Sequence, residues 1–206
     1  MISITSAAGI ALVALTMVLT PGPNMIYLVS RSLSQGWRAG LLSLLGTIAG
    51  FVIYMTVANL GLAGVFRTAR WLYTGVTLAG AAYLLYLAWQ ALRPAGFTLF
   101  QPRELPRDPA ARLLRMGLLT NLLNPKAAIM YLALIPQFLA PGRGHLIAQG
   151  FALGLIQITV SAAVNATIVV AAGGLAAFLA RARVAGVAAT RDRPSPGRGR
   201  DPSRPQ

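Results

Sequence analysis

The chain has 206 residues, of which 56% are hydrophobic and only 11% are charged. Soluble domains carry about 25% charged residues, so this composition excludes an ordinary soluble protein and indicates a membrane protein. The net charge is +14 and there is no cysteine, which excludes disulfides and thiolate metal sites. Nucleic-acid binding is not expected, because the arginines lie in short loops and in the tail rather than on one face with aromatic residues.

Five apolar segments follow one another, each long enough to cross a bilayer as a helix. We place them at about residues 4–29, 39–66, 71–92, 113–139 and 146–179. They predict an all-α, polytopic membrane helix bundle that forms one transmembrane domain, residues 1–180. Residues 181–206 are rich in Arg, Pro and Gly, and we expect a disordered basic tail there, because this composition buries too little apolar surface to fold.

The first segment is interrupted near its middle by the sequence TPGPN, residues 20–24. Pro21 and Pro23 lack the N–H that a helix needs. Irregular backbone at membrane depth survives only when it is buried in protein or lines a cavity. Asn24 is a suitable N-cap for the half-helix that follows, which would point its positive end at the break. A kink without function explains Pro21 and Pro23 alone equally well.

The fourth segment is interrupted at Asn124-Pro125 and carries Lys126, the only lysine of the chain. A charge at the bilayer centre costs roughly 2.5–3.5 kcal/mol on insertion scales, and such a residue suggests a functional site. All four acidic residues lie outside the apolar segments. Lys126 therefore needs carbonyl groups, Asn side chains, water or an anionic ligand such as a carboxylate. The alternative is that it only stabilises the broken backbone.

Two patterns recur in the same order along the chain. TPGPNMIYL in the first segment resembles TNLLNPKAAIMYL in the fourth, and QGxxxG opens both the second segment (residues 35–40) and the fifth (149–154). A repeat of three helices crosses the bilayer an odd number of times, so its second copy must be inverted. This predicts an inverted 3+3 repeat with broken first and fourth helices, and the chain then lacks a sixth helix where the arginine-rich tail lies.

Arginines in the short loops predict the orientation of the chain in the bilayer. Those after the first, third and fifth segments outnumber those after the second and fourth. We therefore expect the N-terminus outside and the tail in the cytoplasm.

TPGPNMIYLVSRSLSQGWRAGLLSLLGTIAG and TNLLNPKAAIMYLALIPQF resemble the two signature regions of LysE/RhtB-type amino-acid exporters. The resemblance covers roughly residues 1–180, although members usually end with a sixth helix. It implies a multi-pass secondary transporter of the bacterial inner membrane that exports amino acids or related small zwitterions, driven by the proton gradient and without a bound cofactor. The site residues that it implies are Pro21, Gly22, Pro23, Asn24, Asn124, Pro125, Lys126 and Gln137.

The two breaks lead to a hypothesis for the mechanism, in which they face each other and form one central site. Lys126 and the half-helix N-termini would hold the substrate carboxylate, Asn24 and freed carbonyl groups would hold its ammonium, and the two halves would rock around the site. The other polar residues within the segments are interpreted mainly as hydrogen-bonding partners between helices: Asn59, Asn121, Gln157 and Asn165.

Three alternatives stay open. A metal or cation exporter would need Cys, His or acidic ligands, which the apolar segments lack. A truncated, non-transporting remnant or a subunit would fit the missing helix. An enzyme is not expected, since no nucleophile, base and acid cluster together.

Gly46-x-x-x-Gly50 could support close contacts in a homo-oligomer.

Overall fold

The structure, a computed structural model, describes the backbone of residues 2–68 and 108–191 and the side chains of residues 2–61 and 108–179. Every regular element in these ranges is helical. The predicted third segment, residues 71–92, lies outside the described residues, as do residues 192–206 of the predicted tail.

The described elements are α1 (Ile4–Leu19), α2 (Pro23–Gln35), α3 (Trp37–Thr68), α4 (Ala110–Leu122), α5 (Pro125–Ile129) and α6 (Leu146–Arg191). Helix α5 continues through a π-helical turn, Met130–Leu134, into a 3-10 turn, Ile135–Phe138. A further 3-10 turn, Pro141–Arg143, precedes α6.

Both breaks predicted from the prolines are present. The chain bends by 56° between α1 and α2, and by 58° between α4 and the Pro125–Phe138 segment. In each case a proline starts the second half-helix, a position where no N–H is needed and where φ is already helical.

The cap of the first break differs from the prediction. Gly22, not Asn24, is the N-cap of α2, because Pro23 takes the first helical position and moves Asn24 inside the helix. At the second break Asn124 is the N-cap, and its Oδ1 accepts a hydrogen bond from the backbone N–H of Lys126 at 3.0 Å. The capping role expected of Asn24 thus belongs to Asn124.

Two single helices in the described residues are long and apolar enough to cross a membrane, over Trp37–Gly61 and Leu146–Leu179. If each bent pair forms one span, up to four spans are described.

Helix α6 runs past its predicted end at residue 179 and is described as far as Arg191. Residues 181–191 are therefore helical and do not belong to a disordered tail. This stretch consists mainly of Ala, Arg and Val, which are compatible with a helix, and no proline occurs after Pro141 until Pro194.

Small residues bring α3 and α6 together in antiparallel orientation. A side chain at Gly173 would collide with Trp37 near the start of α3, and one at Gly154 would collide with Met55 further along it. Contacts thus pair the beginning of α3 with the later part of α6, and the end of α3 with the beginning of α6. Close helix contact of this kind is what glycine permits in membrane bundles.

The glycines of the Gly46-x-x-x-Gly50 pattern are used within the chain. A side chain at Gly46 would collide with the backbone of Leu114 on α4, and one at Gly50 would come within 2.6 Å of the Asn121 side chain. These glycines face α4, so they are not free to form the oligomer contact considered from the sequence.

Candidate functional site

The two breaks are in direct contact through Lys126. Its Nζ donates a hydrogen bond to the backbone carbonyl of Thr20 at 2.6 Å, although 106 residues separate the two in sequence. Thr20 is the C-cap of α1, so Lys126 partners a carbonyl group at the break. A Cβ atom at Gly22 would lie 3.6 Å from Lys126 Nζ.

A cavity of about 460 Å³, including its opening, lies at this contact. Its polar wall from the breaks consists of Thr20, Gly22, Asn24, Asn124 and Lys126. Helix α6 adds a second polar wall, formed by Gln157, Ser161 and Asn165. The apolar lining residues are Met17, Val18, Met25, Phe51, Ala127 and Met130.

Four of the eight predicted site residues line this cavity: Gly22, Asn24, Asn124 and Lys126. The three prolines, Pro21, Pro23 and Pro125, are exposed and do not line it. These prolines interrupt the helices at the breaks and contribute no surface to the cavity.

The structure does not bring Gln137 to the cavity. Its side chain is exposed and donates to the Ala133 carbonyl at 2.9 Å. Gln137 lies about 16 Å beyond Lys126 along the chain, at roughly 1.5 Å per helical residue, which is too far for it to reach the break.

Asn24 and Lys126 occupy equivalent positions, each one residue after the proline that starts a half-helix. The Oδ1 atom of Asn24 is buried and has no hydrogen-bond partner among the described residues. The cavity therefore combines one cation, one unpartnered amide oxygen and one carbonyl group at a helix end. This set complements a small molecule that carries both an anionic and a cationic group.

On the polar wall of α6, Gln157 and Asn165 had been interpreted from the sequence mainly as hydrogen-bonding partners between helices, and Ser161 had not been singled out. Gln157 accepts a hydrogen bond from the Tyr131 hydroxyl and donates to Ser161 Oγ at 2.8 Å. Asn165 donates to the Ser161 carbonyl at 2.8 Å. These three residues are spaced four apart and so share one helix face, which was the available signal.

A separate charged cluster joins the end of α2 to the start of α4, and none of its residues lines the cavity. The Asp108 carboxylate accepts hydrogen bonds from Arg31 at 2.5 Å and Gln35 at 2.8 Å, and it pairs with Arg112 at 3.0 Å. The hydrogen bond from Gln35 holds the pKa of Asp108 below its ordinary value, with smaller effects of Arg112 and Arg31, although burial acts in the opposite direction.

Comparison with known families gives a match over most of the chain. The family model described as "LysE type translocator" matches residues 15–190. The chain belongs to the LysE-type translocator family. The matched region of this LysE-type translocator contains both breaks and every described residue that lines the cavity.

Several relatives of this LysE-type translocator are named efflux proteins. A homoserine/homoserine lactone efflux protein of Salmonella typhimurium is 32% identical over 165 residues, which cover 78% of this chain and 77% of the relative. The threonine efflux protein of Escherichia coli K12 is 28% identical over 152 residues, covering 72% and 74%. A protein of Vibrio cholerae named only as an uncharacterized membrane protein is 32% identical over 156 residues, covering 74% of each chain. No solved structure matches this chain.

Proposed function

We propose that this chain is a secondary transporter that exports amino acids or related small zwitterions across the bacterial inner membrane by alternating access. The observation that carries the proposal is the hydrogen bond from Lys126 to Thr20, which joins two mid-segment breaks beside a polar cavity. The names of the efflux relatives support amino acids as the substrate class.

Each end of an amino acid has a complementary group in this cavity. Lys126 is the cation that would bind the carboxylate, together with the N-terminal end of α2. The unpartnered Asn24 Oδ1 and the Thr20 carbonyl would accept hydrogen bonds from the ammonium. Lys126 already donates one hydrogen bond to the Thr20 carbonyl, and the second lone pair of that oxygen would be the one that accepts from the ammonium.

Helix packing supports the inverted arrangement that alternating access uses. Helix α1 packs against α6, and its counterpart α4 packs against α3. The two bends are nearly equal, and α3 and α6 are antiparallel. These relations are what a two-fold axis in the membrane plane would generate from two inverted repeats.

Coupling to the proton gradient is part of the proposal. No carboxylate occurs among the described residues that line the cavity, so an Asp or Glu of those residues cannot carry the proton there. Lys126, water or the substrate itself would have to do so.

The proposal is tested by amino-acid efflux from loaded cells of a host without its own exporters. Lys126→Met removes the cation while keeping a side chain of similar length, and we expect export to fall at least tenfold at equal amounts of protein in the membrane. Arg143→Met is the matched control, because Arg143 is an exposed cation in the turn before α6, and it should export like the wild type.

Two results would count against the proposal in different ways. Undiminished export by Lys126→Met would overturn the site assignment and leave the function standing. A wild-type protein that reaches the membrane but exports no amino acid would overturn the function and favour a non-transporting role.

A further inference from the structure

The α6 wall of the cavity is a built polar surface inside an apolar helix. Gln157, Ser161 and Asn165 each expose less than 5% of their surface, and all three line the cavity. Buried polar groups are costly unless they are paired. A polar wall therefore calls for partners, some of which the protein supplies.

Gln157 has hydrogen-bond partners within the protein at both ends of its amide, whereas Ser161 and Asn165 can each form a further hydrogen bond. Both ends of the Gln157 amide are engaged, by Tyr131 and by Ser161. Tyr131 is itself held between aromatic rings, stacked on Tyr54 at 6.0 Å and tilted against Phe51 at 6.1 Å. Among the described contacts, the Ser161 hydroxyl hydrogen and the Asn165 Oδ1 atom have no partner.

Charge limits which side chains this cavity accepts. Lys126 is the one ionisable group among the described residues that line it, and the proposed transport function assigns it to the substrate α-carboxylate. Among the described residues that line the cavity, a basic side chain would find no anion, and an acidic side chain would find no second cation. Burying either charge unpaired is strongly unfavourable.

We propose that Ser161 and Asn165 bind the substrate side chain, and that the preferred substrates are amino acids with a small, uncharged, hydroxyl-bearing side chain. The Ser161 hydroxyl would donate to the substrate hydroxyl, and Asn165 Oδ1 would accept its hydrogen. The apolar wall of Met17, Met25 and Met130 would contact the aliphatic carbons. Gln157, fixed by Tyr131, is a positioning residue that orients Ser161.

Discrimination follows from the unpaired groups. An aliphatic side chain of similar size would leave Ser161 and Asn165 without partners, and sites built to bind a hydroxyl discriminate strongly against analogues that lack it. We therefore expect threonine and homoserine to be exported better than leucine, and much better than lysine or glutamate.

This inference rests on the proposed transport function. Its test measures the ratio of threonine export to leucine export. Cells that express the wild type, Asn165→Leu or Ser161→Ala are loaded with an equimolar mixture of threonine and leucine. Export of both amino acids is then followed from the same cells. Each variant should lower the threonine-to-leucine export ratio at least tenfold. A smaller amount of folded protein lowers both rates together, so misfolding does not change the ratio.

Thr167→Val is the matched control, because Thr167 is exposed on another face of α6 and its hydroxyl bonds only to the Ala163 carbonyl. Its ratio should equal that of the wild type. Binding is measured separately, as the shift in Tm that threonine or leucine produces in the purified protein.

An unchanged ratio in Asn165→Leu and Ser161→Ala would overturn the inference while amino-acid export stands. Wild-type export of leucine or lysine as fast as threonine would overturn it too. If neither export nor a Tm shift is seen with any amino acid, the proposed function fails and the inference fails with it.

Discussion

Lys126 and Asn24 occupy the same place in the two half-helices and carry different chemistry. Each is the second residue after a break, and both face one cavity. A zwitterion has two unlike ends, so two copies of one motif could serve it only if their polar residues diverged. Under the proposed function, the cation in one half-helix and the amide in the other would supply that difference.

Asn121, one turn before the second break, is fully buried, and neither end of its amide has a partner among the described residues. Asn121→Leu keeps the size and removes both unpaired groups. We expect the free energy of unfolding in detergent to rise by about 1–3 kcal/mol, the cost of a buried unsatisfied group.

Asn124→Leu is the contrasting variant, because Asn124 caps α5 through its bond to the Lys126 N–H. Losing an N-cap lowers stability by about 0.5–2 kcal/mol. Denaturation of the two variants should therefore give shifts of opposite sign. A loss of stability in Asn121→Leu as large as in Asn124→Leu would show that Asn121 is satisfied in solution.

At the scale of the helices, ion pairs and a hydrogen bond to Asp108 link α2 to the start of α4 outside the cavity. Arg31 and Gln35 reach it from α2, and their side chains meet a carboxylate that is only 8% exposed. The same contact brings the loop after the first segment and the loop before the fourth to one end of the bundle. The arginines of both loops predict that they lie in the cytoplasm.

The lowered pKa of Asp108 makes this link dependent on pH. The contribution of ionised Asp108 to the stability of the fold is fully present above the ordinary pKa of 3.8. It is lost as pH falls through the lower folded-state pKa. The Tm of the wild type should therefore fall as pH drops below about 4, and Asp108→Asn should show a shallower fall.

Arg112→Gln is the control for Asp108→Asn, since Arg112 is 61% exposed while Arg31 is 13% exposed. Exposed ion pairs contribute little to stability, so this variant should retain most of the wild-type pH dependence. If Tm depends on pH in the same way in the wild type and in Asp108→Asn, Asp108 is not the cause of the pH dependence.

On the scale of the whole molecule, the antiparallel pair α3 and α6 separates two ends of the bundle. Trp37 contacts Gly173, and Asn59 contacts Gly150. Trp37 and Asn59, the α3 residues of these two contacts, thus lie about 33 Å apart at 1.5 Å per residue, close to the thickness of a bilayer core, about 30 Å.

The absence of cysteine from the chain allows a direct test of this topology. A single cysteine is introduced as Ser34→Cys, at the end of α2, or as Gly142→Cys, in the turn before α6. An impermeant maleimide should label Gly142→Cys in intact cells, and Ser34→Cys only after permeabilisation. The reverse pattern would invert the predicted orientation, and labelling of both from one side would contradict the antiparallel arrangement.

The breaks and the cation follow from the sequence by local chemistry, and the family follows from the resemblance of the two signature regions. A proline lacks its N–H whatever surrounds it, and Lys126 is the only lysine of the chain, so both could be located without coordinates. The end of α6 was predicted less well, because arginine is compatible with both a helix and a disordered tail.

Which polar groups meet was decided by the tertiary structure alone. The packing of α6 brings Ser161 and Asn165 to the cavity, whereas Gln137, in the 3-10 turn after α5, lies outside it. The same packing turns Gly46 toward α4 and brings Lys126 to the Thr20 carbonyl across 106 residues. Sequence periodicity identifies the face a residue shares with its neighbours, whereas the partner of that face depends on how whole helices pack.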